Sequence, residues 1–184
     1  MDTLFIILLA VGTLMLAVIS RRSLLHLHSH GFYRFFAWEG ILLLVCFNAP
    51  FWVDDPLSTR QIISWILLTT SIYPVAHGTF LLRFVGKPIE APRTGSDLAF
   101  EQTTNLVTTG VYKYIRHPLY ASLLYLAWGV YLKEITWLTS GIVVAVSLFL
   151  FATAKAEEKE NIVRFGEHYM IYATQTKMFI PYVW

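Results

Sequence analysis

The chain has 184 residues, of which 56% are hydrophobic and only 14% are charged. Soluble globular domains carry about 25% charged residues, so this deficit favours a protein embedded in a lipid bilayer. The net charge of +2 is too small to favour nucleic-acid binding, and the single cysteine, Cys46, excludes an intramolecular disulfide. Six Trp and ten Tyr suit the two membrane interfaces.

The first apolar run covers residues 3–19 and is followed by Arg21 and Arg22. A secretory signal carries its positive charge before the apolar core, so we expect an uncleaved first span. Three alternating histidines come next: His26, His28 and His30. Alternate residues diverge on a helix, and a metal site needs three or four convergent ligands. We therefore interpret this stretch as a juxtamembrane connection and predict no metal site.

Four further apolar runs predict additional spans, at about residues 35–53, 62–84, 118–132 and 135–153. The run at 118–132 is short for a bilayer unless its ends are buried in protein. An amphipathic helix is predicted to follow from Lys155 to about Thr174, with Gly166 interrupting it at some energetic cost relative to Ala.

His77 lies within the predicted third span, which also contains Pro74. An ionisable residue inside a span is a functional candidate by default, whereas a histidine satisfied by packing is the structural alternative. Neighbouring helices can accommodate a proline inside a membrane, so Pro74 does not end the span. Both interpretations of His77 remain open from the sequence.

Basic residues near the ends of the spans predict their orientation. The first and third connections, with their flanks, carry most of these residues: Arg21, Arg22, Arg34, Arg83, Lys87, Arg93, Lys113 and Arg116. The alternate connections hold Asp54, Asp55, Arg60, Lys133 and Glu134. The predicted fold class is therefore all-α: a polytopic membrane protein with about five transmembrane helices and a C-terminal amphipathic helix, its amino terminus outside and its carboxyl terminus cytoplasmic.

The long polar stretch at residues 85–110 leads into the segment Leu106–Tyr120, where polar chemistry precedes an apolar helix. Pro118 suits the first helical position, and His117 before it is biased towards extended geometry. Arg116 and His117 are thus expected beside the free N–H groups of a helix N-terminus, which favour anions. Gly110 permits a backbone turn or the close approach of a ligand.

A second polar segment presents residues at helical spacing along one face: Glu158, Asn161, Phe165, His168 or Tyr169, and Tyr172. Glu157 lies beside that face. An ordinary interfacial helix with solvated glutamates is the structural alternative.

Together the two segments resemble one family. The pattern G-x-Y-x-x-x-R-H-P-x-Y at residues 110–120, with E-E-x₆-F-G-x-x-Y-x-x-Y at 157–172, is similar to the isoprenylcysteine carboxyl methyltransferase and phospholipid methyltransferase superfamily. Its members are integral-membrane enzymes that use S-adenosylmethionine. The resemblance implies a single membrane methyltransferase domain over residues 1–184. Residues 1–105 would hold spans one to three and a cytoplasmic loop, and 106–184 the cofactor-binding part.

The resemblance also implies site residues, with the cofactor at the cytosolic membrane face between the two segments. The implied cofactor-binding residues are Leu106, Val107, Gly110, Tyr112, His117, Pro118, Tyr120, Glu157 and Glu158. Carboxylates and aromatic faces suit the cofactor's sulfonium and ammonium. Arg116 and Glu158 are the predicted catalytic residues. Arg116 would hold an acceptor carboxylate by a bidentate pair, whereas an amine or thiol acceptor would make His117 or Glu158 a candidate base.

The acceptor expected from the resemblance is lipid-like and reaches the site from the bilayer, in the first instance an isoprenylcysteine-type carboxylate. A phospholipid amine and a small thiol remain open. Thr108, Thr109 and the 85–105 loop follow no pattern of the family, so we expect that loop to shape acceptor choice. Two alternatives belong to other functional classes. One is an NADPH-dependent membrane reductase, because membrane sterol reductases carry a motif similar to R-H-P-x-Y. The other is a non-enzymatic membrane scaffold.

Overall fold

The computed structural model describes residues 3–88, 98 and 101–183, and the regular elements in that part of the chain are all helical. Six α-helices follow in order: α1 (Thr3–Leu24), α2 (His30–Asn48), α3 (Thr59–Phe84), α4 (Pro118–Tyr131), α5 (Trp137–Phe165) and α6 (Glu167–Gln175). Two short 3₁₀ helices lie at Ala49–Phe51 and Gly110–Lys113. The all-α prediction is confirmed for these residues.

Four of the described helices, α1, α2, α3 and α5, are long and apolar enough to cross a membrane. Helix α4 has 14 residues, which at 1.5 Å per residue gives about 21 Å, less than the roughly 30 Å of bilayer hydrocarbon. It packs against α2, α3 and α5, so protein covers much of its surface. A membrane-embedded helical bundle is thus supported, while the fifth span and the orientation stay predictions.

Glycines allow the helices to approach closely, as is usual where helices pack inside a membrane. A Cβ built at Gly40 of α2 would lie 2.4 Å from Val146 Cγ2 of α5. One at Gly78 of α3 would lie 2.9 Å from Leu119 Cδ1 of α4. Helix α3 therefore lies directly against the beginning of α4, where the R-H-P motif is located.

Helix α2 begins earlier than the predicted boundary near residue 35, because Ser29 caps it by accepting a hydrogen bond from the Phe32 amide. The three alternating histidines are therefore separated. His26 and His28 lie in the connection as predicted, but His30 is the first residue of α2 and only 1% of its surface is exposed.

The predicted division between a fifth span ending at residue 153 and an amphipathic helix over 155–174 is wrong. Instead α5 runs without a break for 29 residues, from Trp137 to Phe165. The chain breaks at Gly166, whose φ of +59° and ψ of −134° lie in a region that side chains strongly disfavour. Glu157 and Glu158 thus belong to the last turns of one long helix.

The ends of the predicted 85–110 loop come back together. Thr104 N donates to Lys87 O at 3.0 Å, and Asn105 N donates to Gly86 O at 3.1 Å. Residues 89–97, 99 and 100 lie outside the described part of the chain, so the predictions that involve Arg93 and the middle of this loop are not addressed. Its described ends lie where α3 finishes and α4 begins.

Candidate active site

A cavity opens at the end of the bundle where α2 and α4 begin and α3 and α5 end, which we call the cavity end. Eight of the predicted site residues line it: Leu106, Val107, Tyr112, Arg116, His117, Pro118, Tyr120 and Glu157. Two, Gly110 and Glu158, do not.

The C-terminal segment fixes the R-H-P loop by a short parallel pairing. Lys177 N donates to Tyr114 O at 3.1 Å, Arg116 N donates to Lys177 O at 2.9 Å, and His117 N donates to Met178 O at 3.2 Å. The Tyr172 hydroxyl adds a hydrogen bond of 2.7 Å to the carbonyl of residue 112. The loop is therefore held by backbone contacts before any ligand binds.

His117 is 3% exposed and lies between the two glutamates of α5. Its Nδ1 is 3.4 Å from Glu157 Oε2, and its Nε2 is 3.5 Å from Glu158 Oε1. Burial opposes the charge of the imidazole, but the two carboxylates outweigh it and raise the pKa of His117 above its ordinary value. The two carboxylates therefore favour the protonated form of the ring.

Two buried polar atoms at the cavity lack hydrogen-bond partners among the described residues, namely His117 Nε2 and Tyr169 Oη. Buried polar groups are almost always paired, and each exception calls for an explanation such as a missing water or ligand. The cavity is therefore suited to a ligand whose polar atoms can form hydrogen bonds with these two groups.

Arg116 and Glu158 form an ion pair in the wall of the site. Arg116 Nε donates to Glu158 Oε1 at 2.5 Å, and its Nη1 donates to Thr176 O at 2.8 Å. Glu158 Oε2 also accepts from Lys155 Nζ at 2.9 Å. Glu158 is thus turned towards Arg116 and Lys155, and it is Glu157 that lines the cavity.

Gly110 has a φ of +59° and packs against α3 rather than against the cavity. A Cβ at this position would lie 2.6 Å from His77 Nε2 and 2.7 Å from Leu81 Cδ1. The close approach that the sequence predicted is therefore made by α3. His77 also packs on Tyr73, with ring centroids 5.3 Å apart, which gives this histidine a packing role.

Several residues that line the cavity were not among the predicted site residues. The helical-face pattern had singled out Asn161, Phe165, Tyr169 and Tyr172, and all four line it on either side of the Gly166 break. Leu82, Thr103 and Leu119 add to the wall. Glu101 also lines it, and no sequence signal distinguishes that residue from the other acids of the loop.

Glu101 is held by residues far away in the sequence. Arg34 Nη1 donates to both of its carboxylate oxygens, at 2.6 and 2.8 Å, and Leu98 N donates to Oε2 at 2.8 Å. Burial would raise the pKa of Glu101, but Arg34 and His30 outweigh it and lower the pKa. Glu101 is therefore ionised at neutral pH.

No group of three His, Cys, Asp or Glu side chains within the described ranges is arranged to hold a metal ion. The carboxylates at the cavity are instead matched with arginine and histidine partners.

Comparison with known proteins places these features in a family context. Residues 95–163 match the model of the isoprenylcysteine carboxyl methyltransferase family. Methanethiol S-methyltransferase 1 of Bradyrhizobium diazoefficiens is 26% identical over 141 residues, which cover 71% of this chain and 45% of the relative. Methanethiol S-methyltransferase of Crocosphaera subtropica is 26% identical over 122 residues, covering 66% of this chain and 44% of the relative.

The chain thus spans less than half the length of these two relatives. No solved structure matches it. The family resemblance that the two motifs predicted is confirmed, and it includes the R-H-P loop and both glutamates of α5.

Proposed function

Starting from this family relationship, we propose that the chain is an integral-membrane methyltransferase that transfers a methyl group from S-adenosylmethionine to a small thiol. The observation that carries the proposal is the cavity itself. It combines the R-H-P loop with two carboxylates and with a buried histidine, His117, whose Nε2 lies 3.5 Å from Glu158 Oε1 and makes no hydrogen bond with the described residues.

The residues present fit the chemistry of this cofactor. Its sulfonium and ammonium suit the ionised carboxylates Glu101 and Glu157 and the faces of Tyr112 and Tyr120, which all line the cavity. His117 Nε2 and Tyr169 Oη would meet its carboxylate or its purine nitrogens. When bound, the cofactor supplies an electrophilic methyl group.

A small thiol is favoured over an isoprenylcysteine carboxylate by the position of Arg116. A bidentate pair with an acceptor carboxylate would compete with Glu158 at Nε and with the Thr176 carbonyl at Nη1. Arg116 is therefore better suited to hold the wall than to hold the acceptor. The names of the two curated relatives point to the same acceptor class.

A thiol acceptor must lose a proton, so the position of each candidate base matters. The neighbouring carboxylates favour the protonated form of His117, and Glu158 accepts hydrogen bonds from Arg116 and Lys155. Glu157 lines the cavity, but it faces His117 Nδ1 at 3.4 Å and is matched to the cofactor's cation, so we assign none of these three residues as the proton acceptor. The rate acceleration comes from positioning and from the exclusion of water by the surrounding apolar residues.

The cavity end faces the cytoplasm in this proposal, and α4 is the fifth span. Arg34, Arg83, Lys113 and Arg116 lie at the cavity end, as the positive-inside rule requires of a cytoplasmic face. The acceptor would reach the cavity from the bilayer, past the apolar residues Leu82 and Leu119.

Two measurements on detergent-solubilised protein test the proposal. Calorimetry should detect binding of S-adenosylhomocysteine but not of NADPH. Transfer of labelled methyl groups should then occur to methanethiol or ethanethiol in preference to a prenylated cysteine or phosphatidylethanolamine.

Other outcomes would overturn specific parts of the proposal. Labelling of the prenylated cysteine alone would restore the carboxylate acceptor, and labelling of phosphatidylethanolamine alone would indicate an amine acceptor. If the chain binds NADPH but not S-adenosylhomocysteine, the result would indicate a reductase. If it binds neither ligand, the non-enzymatic scaffold would be the remaining interpretation.

A further inference from the structure

A charged cluster outside the two motifs reaches the same cavity. It consists of His30 and Arg34 on α2, Glu101 from the loop before the R-H-P motif, and Glu160 on α5. His30 Nδ1 lies 2.6 Å from Glu160 Oε2, and Nε2 lies 3.6 Å from Glu101 Oε2. Arg34 is 4% exposed and its guanidinium also lies 5.0 Å from the ring centroid of Trp38.

Within this cluster only Glu101 lines the cavity, where it joins Glu157. Two carboxylates on one small cavity repel each other, and removing them from water is costly unless each is compensated. His117 lies beside Glu157, and Arg34 with His30 compensates Glu101 from the side of α2. The fold therefore maintains two negative charges at the cavity.

The hydrogen bonds of Glu101 leave capacity for a ligand. A carboxylate offers about four acceptor positions. Arg34 occupies two contacts and Leu98 N a third, while His30 Nε2 stands at 3.6 Å. Counted over the described residues, one acceptor position, on Oε1, thus remains for a donor or cation inside the cavity.

We propose that Glu101 is a cofactor-binding residue that contacts the cationic part of S-adenosylmethionine, and that Arg34 and His30 are positioning residues that hold its carboxylate at the cavity wall. The proposal rests on the proposed function. It extends the site to the first half of the chain, because α2 then determines where one of the two cavity carboxylates lies.

The test is calorimetric binding to the full-length chain in detergent, with two ligands. S-adenosylmethionine carries the sulfonium and the ammonium, whereas 5′-methylthioadenosine keeps the adenosine and thioether but has no cation. Glu101→Gln should weaken S-adenosylmethionine binding about tenfold or more, as expected for loss of a hydrogen bond to a charged group. Binding of 5′-methylthioadenosine should change little.

Arg34→Met should reproduce this selective loss, and Arg34→Lys should restore part of the affinity. The matched control is Glu134→Gln, because Glu134 also pairs with an arginine, Arg60, at 2.9 Å but lies at the opposite end of the bundle. This control should bind both ligands as the unmodified chain does.

The failures of the two proposals are distinguishable. If the unmodified chain binds no S-adenosylmethionine, the proposed function itself fails. If it binds and Glu101→Gln either binds equally well or loses both ligands to the same extent, Glu101 only supports the fold and the inference is overturned. Thermal unfolding of each variant identifies any chain that has failed to fold. If Glu101→Gln does not fold, the binding of S-adenosylmethionine by Arg34→Lys is compared with that of the unmodified chain instead.

Discussion

The two ends of the helical bundle both bury polar side chains, but they use them differently. At the far end, where α2 and α4 finish, Asn48 Nδ2 donates to Val130 O at 2.7 Å, and Lys133 Nζ donates to Gln61 Oε1 at 2.9 Å. Lys133 is fully buried and lies 3.6 Å from the ring centroid of Trp65. At the cavity end, His117 Nε2 and Tyr169 Oη make no hydrogen bond with the described residues.

The difference follows from what each group of side chains satisfies. The last carbonyls of a helix have no intrahelical donors, and at the far end Asn48, Arg60 and Gln61 supply donors to the carbonyls that close α4. Among the described residues, none of the buried side-chain polar atoms of that network lacks a hydrogen bond. The cavity end instead combines surplus hydrogen-bonding capacity with an open volume, which is the arrangement expected where a ligand completes the network.

The largest effect is expected at the cavity end, on turnover. Arg116→Lys cannot reproduce the two fixed contacts of the guanidinium with Glu158 and the Thr176 carbonyl. We expect turnover to fall about 100-fold, as for a site displaced by about 1 Å, while binding of S-adenosylhomocysteine is retained. Arg60→Lys at the far end should leave turnover unchanged, and methyl-transfer assays on both variants check this. Equal turnover in Arg116→Lys and Arg60→Lys would contradict a role for Arg116 in the active site.

A change at the far end should affect stability and not binding. Lys133→Met removes the donor to Gln61 and the contact with Trp65, so the Gln61 carbonyl oxygen is left buried without its partner. We expect the free energy of unfolding to fall by about 2 kcal/mol. Denaturation in detergent measures this, and calorimetry should give the same affinity for S-adenosylhomocysteine as the unmodified chain. Loss of binding at constant stability would show that the two ends are not separate in function.

A smaller effect is expected from alanine substitution of two glycines, and it distinguishes the cost of a strained backbone from the cost of steric crowding near the R-H-P loop. Gly110 and Gly166 both have a φ of +59°, but only a side chain at Gly110 would meet His77 and Leu81. Alanine at either position costs about 1–3 kcal/mol through its backbone, and Gly110→Ala should cost more because of the added contact. Denaturation of both variants tests this. An equal decrease in the free energy of unfolding for the two variants would show that His77 and Leu81 can move to accommodate the added methyl group without loss of stability.

The smallest effect concerns pH. The pKa of His117 is raised in the folded chain, so its contribution to stability is complete below the ordinary histidine pKa of about 6.5 and is lost as the pH rises through the folded value. The charged groups that face it are Glu157 and Glu158.

In His117→Gln this contribution is absent. The unfolding free energy of the unmodified chain should therefore decrease relative to that of the variant as the pH is raised from 6. Parallel curves would mean that the pKa of His117 is not raised in the folded chain.

The sequence predicted the parts of the site that are local in the chain. The R-H-P loop and the face from Asn161 to Tyr172 each lie within one short segment, so spacing alone brought their residues together. The sequence did not predict a continuous α5, because the residues near position 153 do not indicate whether the helix ends there. In addition, Gly166 was interpreted as an interruption within a helix, whereas it follows the last residue of α5. Glu101 was missed because its partner, Arg34, lies 67 residues away.

The Lys177 pairing with the R-H-P loop was missed for the same reason, since it joins segments that only the tertiary fold brings together. Helix existence was predictable from hydrophobicity, whereas which carboxylate faces the cavity was not. Adjacent residues on a helix diverge by about 100°, so choosing between Glu157 and Glu158 requires the rotation of α5 within the bundle.

The most direct test of the cavity as the cofactor site is an experimental structure of the full chain in detergent or nanodiscs with S-adenosylhomocysteine bound. We predict ligand density between the R-H-P loop and the end of α5, with a polar ligand atom within hydrogen-bond distance of His117 Nε2. Density at the far end near Lys133, or a cavity that stays empty while calorimetry shows binding, would contradict the assignment.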